Sequence, residues 1–325
     1  SGGDTTAANI VVLTGGSLKW QTDISSTANT TYYLDGQRWE AIDRAESANM
    51  GDAQTLSRFL SESVERFPAE SYALILWDHG GGPIEGYGFD ELYAFDHLTL
   101  PEMRQALQNS PFGQDKARLT WVALDACLMA SIELANVFAD FADYLVASQE
   151  AVPNQGLNYA FLSKAGEGLC DGEAAARTII DTYADYYESQ NEELKNSRKT
   201  ITMSCLDLSA TNAVEEAVDR ISTRLDDTIK NGGYSALAKE RSEARSYGRF
   251  TLGQDSDLID LKVLAQQAQN AEAESSTLLA AMEQLVVYQR SNQEGTSGIS
   301  IFFPFENQAY LSMDTDRQFG WQDIY

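Results

Sequence analysis

Three short apolar runs constrain this chain more than any other feature. Residues 72–77 (Tyr-Ala-Leu-Ile-Leu-Trp), 119–124 (Leu-Thr-Trp-Val-Ala-Leu) and 144–148 (Tyr-Leu-Val-Ala-Ser) read as central strands covered on both faces. Helical stretches separate them, the pattern of βα units around a mostly parallel sheet. Each run stops at residues able to do chemistry: Asp78-His79-Gly80, Asp125-Ala126-Cys127 and Ser148-Gln149-Glu150. Ligand sites of doubly wound sheets lie outside the carboxyl ends of the strands. A histidine, a cysteine and several carboxylates are therefore expected along one edge of one sheet.

The remaining elements follow from local signals. Residues 10–14 form a buried strand that ends at Gly15-Gly16, and 32–42 form a hairpin turning at Asp35-Gly36. A helix is expected from Asp52 to Phe67, with Leu56, Phe59, Leu60 and Val64 on one face and Pro68 as its stop. A short helix follows near 101–108, and Leu128, Ile132, Ala135 and Ala139 mark the apolar face of another that starts at Cys127. Beyond residue 160 the sequence predicts amphipathic helices at 171–190, 209–230, 256–271 and 274–291, with strands at 200–206 and 299–303. Asn231-Gly232-Gly233 and the loop around Gly248 are the best internal breaks. The expected organisation is a core at 1–160, with further strands and a helical layer from 161–325 packed on it as one compact unit.

Composition removes several functions. Against 23 Lys and Arg stand 49 Asp and Glu, a net charge of −26. Nucleic-acid binding needs clustered cations to neutralise phosphate, so no such partner is expected. No run approaches the ~20 apolar residues of a membrane helix, and a monomer is expected. The three cysteines, Cys127, Cys170 and Cys205, are too few for a disulfide framework and contain no Cys-x-x-Cys pair for zinc.

The strand ends suggest nucleophilic catalysis. A thiolate is the reactive form of cysteine, and free backbone amides with the positive end of a helix dipole at Cys127 would favour it. His79, one of two histidines, is placed to act as acid and base, and the glycines after it let a peptide backbone approach. The amides of Gly80 and Cys127 are candidate oxyanion donors. Taken singly, Cys127 also fits a buried small hydrophobe and His79 a hydrogen-bonded loop histidine; the matched strand-end positions favour the catalytic pair. Cys170, in a Gly-Leu-Cys-Asp-Gly turn, and Cys205, in an apolar strand, read as structural. A metal site at His79 and His97 lacks ligand spacing, Gly80-Gly81-Gly82-Pro83 lacks the ending of a phosphate loop, and Gly-x-Ser-x-Gly is absent.

Trp77-Asp78-His79-Gly80-Gly81-Gly82 followed by Leu124-Asp125-Ala126-Cys127-Leu128-Met129 resembles the clostripain family of cysteine peptidases, of the clan of caspases, legumain and gingipains. The resemblance extends through Thr14-Gly15-Gly16 with Trp20, Asn49-Met50-Gly51-Asp52, Ala147-Ser148-Gln149-Glu150, Asp257-Leu258-Ile259-Asp260-Leu261 and Gly298–Pro304. It implies a caspase-like three-layer α/β fold, a Cys127–His79 dyad flanking the substrate, and peptide hydrolysis through a thioester. It also implies export to the exterior, surface or periplasm of a bacterium. Asp125, Ser148, Glu150 and Gln155 become candidate substrate-binding residues.

Three features depart from the family pattern. Relatives that cut after Arg or Lys carry an acidic residue where this chain has Gln155, and Trp where it has Leu157. A neutral amide does not offset a buried guanidinium, so basic preference would need Asp125 or Glu150. Orientation of the turn by Asp125 and a solvated Glu150 are equally open. No Lys or Arg occurs from Gly80 through Met103, where relatives are often cleaved on maturation. Some relatives depend on calcium, but the chain has no Asp-x-[Asp/Asn]-x-[Asp/Asn]-Gly loop; no cofactor is expected, and Asp90, Glu91 and Asp96 read as a solvated acidic run. A catalytically silent, peptidase-like binding protein is the alternative function.

Overall fold

A computed structural model describes residues 8–36, 38–114, 117–164, 168–193, 199–248, 256–267 and 272–304. In chain order its strands are β1 (Val11–Thr14), β2 (Ala28–Asp35), β3 (Arg38–Glu46), β4 (Tyr72–Trp77), β5 (Tyr87–Asp90), β6 (Asp96–Leu98), β7 (Leu119–Asp125), β8 (Ala142–Ser148), β9 (Thr202–Asp207), β10 (Ser246–Tyr247), β11 (Leu258–Asp260), β12 (Val286–Ser291) and β13 (Ser300–Phe302). Its α-helices are α1 (Ala53–Arg66), α2 (Gly82–Glu85), α3 (Leu100–Gln108), α4 (Ile132–Ala139), α5 (Gly172–Glu193), α6 (Thr211–Thr228), α7 (Tyr234–Glu243), α8 (Leu261–Gln267) and α9 (Glu272–Leu285).

The three apolar runs become adjacent strands of a five-stranded sheet ordered β12-β9-β8-β7-β4. Pairing is parallel from β4 through β7 to β8 and antiparallel from β8 through β9 to β12. The sheet is thus mixed where a mostly parallel one was expected, because β9 runs against both neighbours. Leu74, Leu76, Val122, Leu124 and Leu145 face a core shared with residues of α3, α4, α6 and α9. On the opposite face Trp121, Ala123, Val146, Met203 and Cys205 pack with α5 through Ile179, Ile180, Tyr183 and Tyr187. Six of the seven residues of β7 are buried and the seventh is partly so, which is why its sequence is a continuous apolar run and not an alternating one.

Helix ends follow capping chemistry. The Asp52 carboxylate accepts from Gln54 N at 2.8 Å and starts α1. Thr99 and Glu102 form a reciprocal capping box on α3. The break at 231–233 falls between α6 and α7, with Gly232 at φ 89°. Among the described residues no helix is long and apolar enough to cross a membrane.

Several expectations need correction. β1 does not join the central sheet: it pairs with β2, which pairs with β3, in a separate antiparallel sheet, and it is half-exposed. The helix expected at 274–291 ends at Leu285, and Val286–Ser291 is a strand because it pairs with β9 along the sheet edge. Leu258–Asp260, expected to be helical, pairs with β10 and β13 in a small third sheet. Asp90 is not solvated. It is buried, with Oδ1 capping Leu92 N at 2.8 Å and Oδ2 accepting Met50 N at 2.8 Å. Glu91 accepts from Leu18 N at 2.7 Å and Asp96 from Asn49, so the acidic run fastens three loops together.

Candidate active site

Strands β4, β7 and β8 end side by side, as parallel pairing requires. The loop after β4 folds back on itself: Gly88 N donates to His79 O at 3.0 Å and Gly81 N to Gly86 O at 2.9 Å. Asp78 Oδ1 accepts the His79 amide at 2.6 Å. The His79 ring is exposed and stands edge-on to Phe89 at 6.0 Å, and Phe89 lies 5.5 Å from His97. His97 therefore sits behind Phe89 and not beside His79. Among the described residues no group of three His, Cys, Asp or Glu side chains is arranged to hold a metal ion.

The histidine loop and the cysteine loop meet at one point. A Cβ added to Gly80 would lie 2.2 Å from Cys127 O and 3.0 Å from Cys127 N, a separation only glycine permits. Among the described residues, neither the Gly80 nor the Cys127 amide donates a backbone hydrogen bond outside the strands and helices.

Cys127 does not begin a helix. α4 starts at Ile132, capped by Ser131, whose hydroxyl accepts from Leu134 N at 3.3 Å. The macrodipole fades within the first turn, so it does not serve the thiol. Residues 126–131 instead cross the end of the sheet: Leu128 N donates to Glu150 O at 3.3 Å and Ala130 N to Ser148 O at 2.9 Å. Leu128 has φ 65°, a costly conformation for a branched side chain. It is held there by full burial against Tyr247, Leu258 and Phe302. Burial pushes the Cys127 thiol up from its ordinary value, and the charges of Glu150 and Asp125 push the same way; a hydrogen bond from Val152 N, 3.2 Å from Sγ, opposes them. Burial and the two carboxylates thus favour the thiol over the thiolate, and the helix dipole that the sequence suggested as an opposing influence is not there.

The other site residues have definite places. Asp125 is 3% exposed, and its carboxylate accepts Leu157 N at 3.0 Å on both oxygens and Tyr159 OH at 2.9 Å. Burial raises its pKa, while those donors pull it down. Ser148 is fully buried and shares a 2.8 Å hydrogen bond with Thr202 Oγ1, so it has no surface to offer a substrate. Glu150 is neither solvated nor free: Oε1 accepts Gly248 N at 2.8 Å and Ala151 N at 3.0 Å, and Oε2 faces Arg245 at 3.8 Å. Gln155 is exposed at a turn. Cys170 is exposed and Cys205 buried, both away from this edge. Val152, Tyr159 and Tyr187 were not singled out in the sequence; the aromatic cluster Tyr159-Ala160-Phe161 after the third strand was the available signal.

Known proteins share this architecture. The chain is similar to an inactive zymogen of a C11 protease from Parabacteroides distasonis, with TM-score 0.72, 20% identity, and coverage of 98% of this chain and 87% of that one. It is also similar to a secreted C11 cysteine protease from Bacteroides thetaiotaomicron in complex with an irreversible peptide inhibitor, with TM-score 0.69, 18% identity, and coverage of 87% and 81%. At these identities the likeness is one of fold. Clostripain of Hathewaya histolytica is 24% identical over 316 residues, covering 83% of this chain and 60% of clostripain; the chain spans about 60% of that relative's length. The clostripain family model matches residues 2–325, and the chain belongs to the clostripain family.

Proposed function

We propose that this chain is a cysteine endopeptidase with a caspase-like fold, in which Cys127 is the nucleophile and His79 the acid and base. The observation that supports the reading is the contact of Gly80, the residue after His79, with the Cys127 peptide at the ends of β4 and β7, where among the described residues neither amide donates a backbone hydrogen bond outside the strands and helices. Burial and two neighbouring carboxylates favour the thiol form of Cys127, so in this reading the imidazole takes its proton as the substrate arrives.

Sγ then bonds to the scissile carbonyl carbon, and the carbonyl electron pair moves onto oxygen, where the Gly80 and Cys127 amides stabilise it. As that pair returns, the C–N bond breaks, and the imidazolium proton goes to the departing amine. His79 next draws a proton from water; the hydroxide adds to the thioester, the C–S bond breaks, and the thiol recovers its proton. The partner is a peptide or protein, and likeness to secreted relatives supports export of this chain too. Residues 1–160 and 161–325 act as one unit in this reading, since β9 and β12 complete the central sheet and β13, in the third sheet, braces the cysteine loop through Ser300. Preference for Arg or Lys before the cut is not part of it, because Asp125 and Glu150 already hold donors and Gln155 is neutral.

Cys127→Ala should abolish hydrolysis of a broad peptide library and labelling by a thiol-directed peptidyl inhibitor, whereas Cys170→Ala should leave both intact. Wild-type protein that turns over no member of the library would make the chain a silent binding relative. A strong preference for Arg or Lys would show that a committed carboxylate still serves the pocket.

A further inference from the structure

A buried carboxylate outside the dyad joins two elements that grip the cysteine loop. Asp260 closes β11 and is 4% exposed, yet its oxygens accept five neutral donors from four stretches of chain. Oδ2 receives Gln149 Nε2 at 3.1 Å, Tyr247 OH at 2.9 Å and Ser297 N at 2.7 Å. Oδ1 receives the Ser297 hydroxyl and Lys262 N, the latter at 3.0 Å. A charge buried this deeply is tolerated when its lone pairs are filled in this way.

Two of those donors also hold residues 128–130. Gln149 is fully buried between Ser148 and Glu150, whose carbonyls accept Ala130 N at 2.9 Å and Leu128 N at 3.3 Å. Its side-chain oxygen takes Gly298 N at 3.0 Å, so both ends of its amide are engaged. Tyr247 packs in one cluster with Leu128, the residue at φ 65°. Across the third sheet Asp260 lies opposite Ser300, whose amide and hydroxyl both bind Ala130 O. Asp260 thus reaches, through one residue in each case, the holders of Leu128 and of Ala130.

We propose that Asp260 is a positioning residue for the candidate site: by joining Gln149 to Tyr247 it keeps the end of β8 and the third sheet together, and so fixes the peptide that carries Cys127. The proposal rests on Cys127 being the nucleophile. Leu128 follows the thiol in sequence and holds a left-handed conformation, which a branched side chain keeps only while its surroundings over-determine it. Those surroundings are the Tyr247 ring and the Glu150 carbonyl, the two sides that Asp260 ties. With the tie cut, Leu128 can relax toward ordinary backbone angles, and the adjoining Cys127 peptide turns with it. A displacement of about 1 Å in an attacking atom costs about 10²-fold in rate. Asp260 itself touches no substrate and moves no proton, so its loss shows in the rate of the chemical step and not in affinity.

The test compares Asp260→Asn and Tyr247→Phe with Val218→Ala, a truncation of the core on α6, at a temperature where calorimetry shows each folded. Asp260→Asn places a donor where donors converge, whereas Tyr247→Phe removes one hydroxyl and keeps the ring on Leu128. Turnover of a library peptide should fall about 10- to 100-fold in Asp260→Asn and about 3- to 10-fold in Tyr247→Phe, through kcat, with KM held within about twofold. Val218→Ala should keep the wild-type kcat. Amide exchange of residues 126–131, followed by mass spectrometry, should quicken in the first two variants and not in the third. Tyr247→Phe decides the matter if Asp260→Asn does not fold. A wild-type kcat in the folded variants, or a loss matched by Val218→Ala, overturns the proposal whatever the melting temperatures. If the wild type hydrolyses no peptide, the peptidase reading fails and exchange alone decides: faster exchange at 126–131 upholds the hold on the loop, and unchanged exchange overturns it.

Discussion

The two strand ends that meet at Gly80 are built differently. Among the described residues β4 is the last strand of its sheet and pairs only with β7; its final residue, Trp77, is 56% exposed, and Asp78 and His79 lie at the surface. The His79 ring has one aromatic neighbour, Phe89, and its backbone is steered by the short bond to Asp78. β7 lies between β4 and β8. Its end is buried at Asp125 and locked through Leu128, Ala130 and Ser131 to β8, β13 and the third sheet. The division suits the chemistry proposed for the two residues: a group that carries a proton first to an amine and then from a water needs freedom, whereas an attacking sulfur gains from a fixed approach.

The largest effect should separate activity from stability. His79→Ala should lower turnover by about 10²- to 10⁴-fold while leaving the melting temperature unchanged, since the exposed ring supports little of the fold. A melting loss comparable to that of a core substitution, seen by calorimetry, would break the contrast between the ends. Gly80→Ala should damage both sides, because its Cβ meets the Cys127 carbonyl at 2.2 Å. We expect about a 10²-fold loss of kcat/KM and about 1–3 kcal/mol of stability. Full activity in this variant would show that the meeting point yields.

The smallest effect tests the dense end alone. Glu133 on α4 is buried, holds Phe302 N at 2.9 Å through Oε1, and has no described partner for Oε2. Burial raises its carboxyl from 4.5 to about 7. The folded protein keeps this proton to higher pH than the unfolded chain, so stability falls as pH rises through this window, by up to about 3 kcal/mol, and no contribution remains below it. Glu133→Gln should flatten that slope, read from urea midpoints at pH 4 and 8; an unchanged slope would assign the pH dependence to other groups.

The sequence made the strand runs and the Asp35-Gly36 turn legible, because burial and tight turns leave marks in local composition, although β4 is an edge strand with Trp77 exposed and not a central strand covered on both faces. What it hid was set by distant partners. Val286–Ser291 continues an apolar helical pattern and becomes a strand only because β9 offers an open edge. Asp90 looks like one of several surface acids until the Met50 amide reaches it. The helix start at Ile132 did have a local sign, Ser131 as cap, masked by the apolar run from Ala126 to Ala130. Within the site the meeting of the loops after β4 and β7 was readable from position, whereas the commitment of Asp125 to Leu157 and Tyr159 depends on a loop returning some thirty residues later.

The Ser300 bracket on the cysteine loop has a consequence in time. Ala130 O receives both the amide and the hydroxyl of Ser300, at 2.8 and 2.9 Å, and Glu133 receives Phe302 N. These contacts join positions about 170 residues apart, a closure that comes late in folding and later still during synthesis from the amino terminus. A nascent chain emerging from a ribosome with β12 just made already carries His79 and Cys127, yet lacks the strand that clamps the segment just after Cys127. The order of the genetic message thus delays the fixing of the Cys127 loop until nearly all of the described fold exists.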